Sequence, residues 1–493
     1  MASIDTFSDN PHRPGNTTTS VRVFSFSFAE IFGPINEKTL LTFQSKRNPI
    51  SLSLSHKQTR EYQGNHIHEN LPKEEPYSFH QRIEIMNLMK LCQKEKNIYN
   101  ARRIHADIVE KDLIAKDACI GTSLITTYAK CRDLEKAREV FEQLPVRDVV
   151  SWNALISGYA QHGFSNEALK CFKQMQEDVH ICPNVVTYIC ILKACTIVGS
   201  LQIGEYIAAE VRKRGLLHKD VVLGTALVDM YAKCGALEKA QEVFECLPMR
   251  NVVTWSALIT GYTQHGLGDE ALKCFQQMQT MGVCPNAKTY ACILKACAIV
   301  GSLDIGEDID AEVKKKGLLE NDVMLGNALV DMYAKCGALE KARDVFEKLQ
   351  VRNVATWNAL ITGYVHHGCG HEALKCFKHM RDLGIGPNVV TYICILKACG
   401  IVGSLEMGED LDIEVRKHGL LQKEVMLGNA LVDMYSKCGA LEKAHEVFLQ
   451  LPEQNVISWN AMITGYVHHG LGYEALKYFK KLQDARICPD VVT

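Results

Sequence analysis

Residues 357–377 read WNALITGYVHHGCGHEALKCF, and the same stretch returns as WSALITGYTQHGLGDEALKCF from Trp255, WNALISGYAQHGFSNEALKCF from Trp152 and WNAMITGYVHHGLGYEALKYF from Trp459. These account for all four tryptophans of the 493-residue chain, spaced 103, 102 and 102 residues apart. A chain with so regular a period builds stacked repeats, each leaning on its neighbours, and not separate globules. In 252–286, Trp255, Leu258, Ile259 and Tyr262 fall on one helical stripe, at i, i+3, i+4 and i+7. Glycines at His265–Gly268 break that stripe. Ala271, Leu272, Phe275 and Met278 then form a second, which Cys284-Pro285-Asn286 ends, because the residue before a proline avoids the helical region.

Outward from the tryptophan stretch, three kinds of unit alternate from Arg82. The first occupies 82–117, 185–220, 287–322 and 389–424, and the second 118–148, 221–251, 323–353 and 425–455. The tryptophan units are 149–184, 252–286, 354–388 and 456–490, the first carrying one extra residue near Glu177–His180. Each unit spells two helices, with Gly301 and Gly337 as examples of the turn between them. No strand signal is present. The expected fold is all-α, a right-handed superhelical solenoid of stacked helix pairs. Residues 491–493, Val-Val-Thr, match 389–391 and are expected to open a further, truncated unit.

Residues 1–81 carry no repeat, are rich in Ser and Thr, and hold more basic than acidic residues up to Arg60. They are expected to be an organelle transit peptide and a spacer. The formal charge of −2 and pI near 6.8 give no basic signature, so bulk electrostatics does not argue for nucleic acid. No apolar run approaches the roughly 20 residues that a membrane helix needs. The twenty cysteines recur with the units, as in Cys131, Cys234, Cys336 and Cys438, and none is spaced C-x-x-C. They read as small apolar packing residues in a reducing compartment. His366, His367, His371, His468 and His469 lie in glycine-rich turns and are expected to be solvated, not metal ligands. No P-loop, H-E-x-x-H or H-x-E with C-x-x-C is present, so no catalytic motif, cofactor or metal is expected.

VVTWSALITGYTQHGLGDEALKCFQQMQTMGVCPN (252–286) and VMLGNALVDMYAKCGALEKARDVFEKLQVRN (323–353) resemble pentatricopeptide repeats. The tetratricopeptide pattern W-x2-L-G-x2-Y is not matched, since Ser-Ala-Leu-Ile follows Trp255. The alternation of 36-, 31- and 35-residue units is similar to the L, S and P motifs of the plant PLS subclass, with twelve motifs over 82–490. The resemblance implies binding of single-stranded organellar RNA, one base per motif, read by the fifth residue and the last. Those positions are Thr122/Asp148, Asn153/Asn184, Thr225/Asn251, Ser256/Asn286, Asn327/Asn353, Asn358/Asn388, Asn429/Asn455 and Asn460/Asp490. Every member is a short hydrogen-bonding side chain. In the L motifs the fifth residue is Met86, Ile189, Ala291 or Ile393, which cannot hydrogen-bond a base, so these motifs are expected to space bases without specifying them.

By the family's code the RNA, 5′ to 3′ along the chain, is n-G-Y-n-A-A-n-Y-Y-n-Y-U. PLS members typically recognise sites of C-to-U editing alongside other editing proteins, often with a carboxy-terminal deaminase domain, which is not in this chain. A monomer is expected, with no membrane partner. The alternative is a helical scaffold for proteins, without RNA; the near-neutral charge favours it and the polar pairs disfavour it. Caps alone would also place Asn, Ser and Asp at these positions. The tryptophans, lying on the apolar stripe, are expected in the core.

Overall fold

A computed structural model describes residues 79–178, 180–320 and 322–490. The proposed transit segment, apart from residues 79–81, and the closing residues 491–493 lie outside them. The described residues form 25 α-helices and one short 3-10 turn, with no strand among them. They fall into two compact units that divide between Leu216 and Leu217. Within each, the chain is a succession of antiparallel helix pairs.

The lengths of the sequence units follow from their second helices. In 221–251 the helices Val221–Lys233 and Leu237–Cys246 have 13 and 10 residues. In 252–286 they are Val252–Gln264 and Gly268–Thr280, with 13 each. The shorter unit lacks most of one turn. Gly268 opens the second helix, and that helix stops at Thr280, six residues before Asn286. Gly282 stops it: φ there is +70°, a left-handed conformation that ends a helix at little cost only for glycine. Cys284-Pro285 is the linker to the next unit. In the first tryptophan unit, Ser165–Glu177 ends in Asp178 without such a glycine, and the extra residue sits there.

The core is laid along the first helices. Trp255 and Trp357 are 1% exposed, Trp152 and Trp459 6%. Each ring meets a phenylalanine from the second helix of the preceding pair edge-on: Phe141 to Trp152 at 4.5 Å, Phe346 to Trp357 at 4.6 Å. This is the favoured aromatic geometry. The tryptophans are therefore scaffold.

Small residues set how closely successive pairs approach. A methyl group on Gly363 would lie 2.3 Å from Ala334 Cβ, and one on Gly261 2.4 Å from Ala232 Cβ. That contact brings a turn histidine onto the same alanine: His367 Nε2 is 2.9 Å from Ala334 O, and His265 Nε2 3.0 Å from Ala232 O. His162 and His469 repeat it on Ala129 and Ser436. His367 and His469 are exposed, as expected of residues in glycine-rich turns, and each also clamps a helix-end carbonyl.

Most of the cysteines pack as expected, but Cys119, Cys182, Cys246, Cys284 and Cys488 are exposed, which corrects their reading as packing residues. Cys336 and Cys438 donate Sγ–H to the carbonyls of Cys297 and Cys399, each at 3.7 Å. Burial pushes the Cys297 and Cys399 thiols up to about 12. They stay protonated and unreactive near neutral pH. No described helix is long and apolar enough to cross a membrane.

Candidate nucleic-acid interface

The last residue of almost every unit turns out to be the N-cap of the next. Asn353 has φ −102° and ψ 178°, and its Oδ1 accepts the Thr356 amide at 3.0 Å. Asp148, Asn184, Asn251, Asn286, Asn388 and Asn455 cap their helices in the same way. Capping satisfies one of the four orphan N–H groups at each helix start, which explains the residue types locally. It also fixes the direction of the side chain. Asparagine's oxygen is engaged, so its NH2 is the group left for solvent. In Asp148 the engaged atom is one carboxylate oxygen, leaving the other.

The fifth residue lies behind this cap and holds it. Asn358 Nδ2 donates to Asn388 Oδ1 at 3.0 Å, while Asn358 Oδ1 accepts the Thr391 hydroxyl at 2.7 Å. Asn153 repeats this on Asn184 and Thr187, at 3.0 and 2.7 Å. Asn327, Asn429 and Asn460 donate to Asn353, Asn455 and Asp490 at 3.5, 3.2 and 2.8 Å. Five of the eight proposed pairs are thus hydrogen-bonded directly, all those with asparagine first.

Ser256 and Thr225 are too short to reach the cap. They bond instead to the threonine three residues beyond it, Thr289 at 2.7 Å and Thr254 at 2.8 Å. Thr122 turns back onto Ala118 O at 2.9 Å, and no bond joins it to Asp148. Asn153, Thr225, Ser256, Asn358, Asn429 and Asn460 are all under 9% exposed, whereas Asn184, Asn251, Asn286, Asn353, Asn388 and Asp490 are exposed and Asp117, Asp148, Asp220, Asp322 and Asn455 half-buried. The fifth residue is a buttress, and the last one presents itself.

Sequence reasoning missed the third partner. A Ser or Thr stands three residues after the cap at each junction into a tryptophan unit or an L unit: Ser151, Thr187, Thr254, Thr289, Thr356, Thr391 and Ser458. Where an L unit leads into the next, that position is Ile120, Leu223, Leu325 or Leu427, all buried. An apolar fifth residue such as Ala291 or Ile393 therefore matches an apolar third position. The signal was the Ser or Thr three residues after each of these caps, in V-x-[ST] or, at 287–289, Ala-Lys-Thr, absent from the other junctions.

An arginine steadies the linker before two of the caps in the same way. Arg250 donates to Phe244 O at 2.9 Å and Arg352 to Phe346 O at 2.9 Å, each guanidinium 5.1 Å from the phenylalanine ring it covers. Beside the caps, the second residue of many units is an exposed aliphatic: Val150 at 55%, Met324 at 54%, Val390 at 51% and Ile457 at 58%. Each such junction thus offers one directed polar group next to one apolar side chain.

Helix pairs stacked in this order define an α-solenoid repeat protein. Models of the PPR repeat family match 147–196, 250–299 and 352–400, and those of the PPR repeat match 122–149, 225–252, 327–354, 429–456 and 457–487. A pentatricopeptide repeat domain matches 179–217. Together these cover more than half of the chain, which belongs to the pentatricopeptide repeat family.

A chloroplastic pentatricopeptide repeat-containing protein of Arabidopsis thaliana is 37% identical over 406 residues, 82% of this chain and 50% of the relative. A mitochondrial one from the same plant is 34% identical over 401 residues, 81% of this chain and 57% of the relative. The chain spans about half the length of these relatives. Among solved structures, the pentatricopeptide repeat protein PPR10 in complex with an 18-nucleotide psaJ RNA element has a TM-score of 0.62 at 17% identity. That match covers 76% of this chain and 56% of PPR10. It shows the fold.

Proposed function

We propose that the chain binds single-stranded RNA in a mitochondrion or chloroplast, one base per motif, as a site-recognition factor for C-to-U editing or other RNA processing. Twelve motifs in L-S-P order carry the recognition, and any deaminase chemistry belongs to another domain or protein. The observation that carries this reading is the set of caps whose one free polar group is fixed in kind and direction. The organellar names of the relatives support the location, and PPR10's complex with RNA supports the class of ligand.

The chemistry of the caps accounts for the expected code. An asparagine cap offers an N–H donor, which suits the ring-nitrogen acceptor on the Watson–Crick edge of adenine or cytosine. An aspartate cap offers an acceptor, which suits the N–H of guanine or uracil. The buttress sets size: Thr225 and Ser256 are small and leave room for a purine, whereas Asn358 fills the space and leaves a pyrimidine. The exposed aliphatic beside the cap gives the base an apolar surface. Single-stranded RNA of sequence n-G-Y-n-A-A-n-Y-Y-n-Y-U is therefore the expected ligand.

Equilibrium binding of the purified chain to that RNA tests the reading. Changing both adenines to guanine should weaken binding, and Ser256→Asn should move the preference at its base from adenine towards a pyrimidine. Equal affinity for a scrambled RNA would sink the assignment.

A further inference from the structure

We infer that the motif 287–322 reads guanine at the seventh base, and is not the passive spacer that its apolar fifth residue implies. This rests on the proposed RNA-binding function and extends it to a motif that the fifth residue alone leaves silent.

All four L motifs end in an acid, and the structure holds those acids differently. Asp117 caps the Cys119 amide at 2.9 Å, and its Oδ2 lies 2.6 Å from Arg82 Nε, so its charge is already paired. Glu424, one methylene longer, makes no side-chain bond to the helix it precedes. Asp220 and Asp322 are the contrast within the second compact unit. Asp220 Oδ1 accepts the Leu223 amide at 3.0 Å, but the bulky Ile189 is the fifth residue of its motif. Asp322 Oδ1 accepts the amides of Met324 and Leu325 at 2.9 and 3.1 Å. Among the described residues its other oxygen accepts nothing. That is the arrangement of an aspartate cap with one acceptor to spare.

Two neighbours in the same motif fit the larger base. Ala291 is the smallest of the four L-motif fifth residues, where Met86, Ile189 and Ile393 stand elsewhere. It leaves the room that Thr225 and Ser256 leave in the adenine-reading motifs. Lys288 stands where Val186, Met324 and Val390 carry an aliphatic side chain; it is exposed and has no ion-pair partner among the described residues. Its exposed charge is free to meet an RNA phosphate. A purine that must donate hydrogen bonds from its Watson–Crick edge is guanine, through N1–H and N2–H2. Adenine meets the carboxylate with a lone pair.

The test is equilibrium binding of the full chain to four 12-nucleotide RNAs that differ only at base 7. Guanine is expected to bind roughly tenfold tighter than adenine or cytosine, the worth of one charge-assisted hydrogen bond. Asp322→Asn keeps a capping side chain and should reverse the guanine-over-adenine preference without lowering the unfolding midpoint. Base 1, opposite the paired Asp117, should show no preference.

Equal affinity for all four bases at position 7, while changes at bases 5 and 6 still weaken binding, overturns this inference and leaves the RNA-reading function standing. Indifference at bases 5, 6 and 7 alike overturns both. A guanine preference at base 1 as strong as that at base 7 overturns the assignment from the open carboxylate.

Discussion

Replacing Asn388 with aspartate separates the two jobs that one residue does. Asn388 Oδ1 accepts from Thr391 N and Asn358 Nδ2, each at 3.0 Å. A carboxylate oxygen can accept both. Aspartate caps as well as asparagine and suits the positive end of the helix, so stability should change by no more than about 0.5 kcal/mol. What changes is the outward atom, from an N–H donor to an oxygen acceptor. At the ninth base the original residue favours cytosine, whose N3 accepts, and the variant favours uracil, whose N3–H donates. Losing one hydrogen bond and gaining the opposite one amounts to about 2 kcal/mol, or roughly a thirtyfold swing in the cytosine-to-uracil ratio. Fluorescence anisotropy with the two RNAs, beside a urea unfolding curve, measures both quantities. A variant with an unchanged midpoint whose ratio moves less than twofold would refute the idea that the cap's free atom selects the base.

Gly363→Ala puts a methyl 2.3 Å from Ala334 Cβ and 3.2 Å from its Cα, so the helices must part. A loss of about 1–3 kcal/mol in urea is expected, where an unhindered helix would gain about 1 kcal/mol from the same change. Lys288→Met should flatten the dependence of RNA binding on salt by a slope of about 0.7, one phosphate's worth, and an unaltered slope would remove Lys288 from the interface. His105, bonded through Nδ1 to the Tyr128 hydroxyl at 2.8 Å, is held below the ordinary imidazole value of 6.5 by burial and then by Lys136. The unfolded chain takes up that proton first, so the contribution to stability is present above pH 6.5 and is lost as the pH falls. His105→Gln should remove that part of the acid sensitivity measured by thermal unfolding between pH 7 and 5.

The helix pairs were legible because their apolar stripes have the helical period and repeat, and the tryptophans were legible as core for the same reason. Their partners were not. Nothing in WNALITGY says that Trp357 meets Phe346, eleven residues earlier on the other helix of the preceding pair. The helix end at Thr280 was misjudged because proline is the louder signal, while Gly282, whose positive φ does the stopping, looks like one glycine among many. The clamp that His367 makes was not legible because its partner is a backbone carbonyl, which has no sequence identity. The pairing of fifth and last residues came from the family resemblance. That the first is buried and the second presented follows only from geometry, since both are short polar residues.

The cap also limits how such a chain can change its target. A residue that presents a group to a base must at the same time satisfy a helix start, and few side chains do both. Asn and Asp carry two polar atoms on one short arm, so one can be spent on the backbone and the other shown to solvent. Serine or threonine at the last position would cap through its single oxygen and present no second polar atom. Switching between Asn and Asp inverts the hydrogen-bond polarity at no structural cost, which makes that position the natural place for specificity to change. The buttress is freer in size but must still pair with the cap or with the hydroxyl of the third residue, as Asn358 and Ser256 do in their two ways. Where that hydroxyl is replaced by leucine, as at Leu325, the buttress becomes apolar and only the cap is left to discriminate. Asp322 meets that condition, with an oxygen to spare.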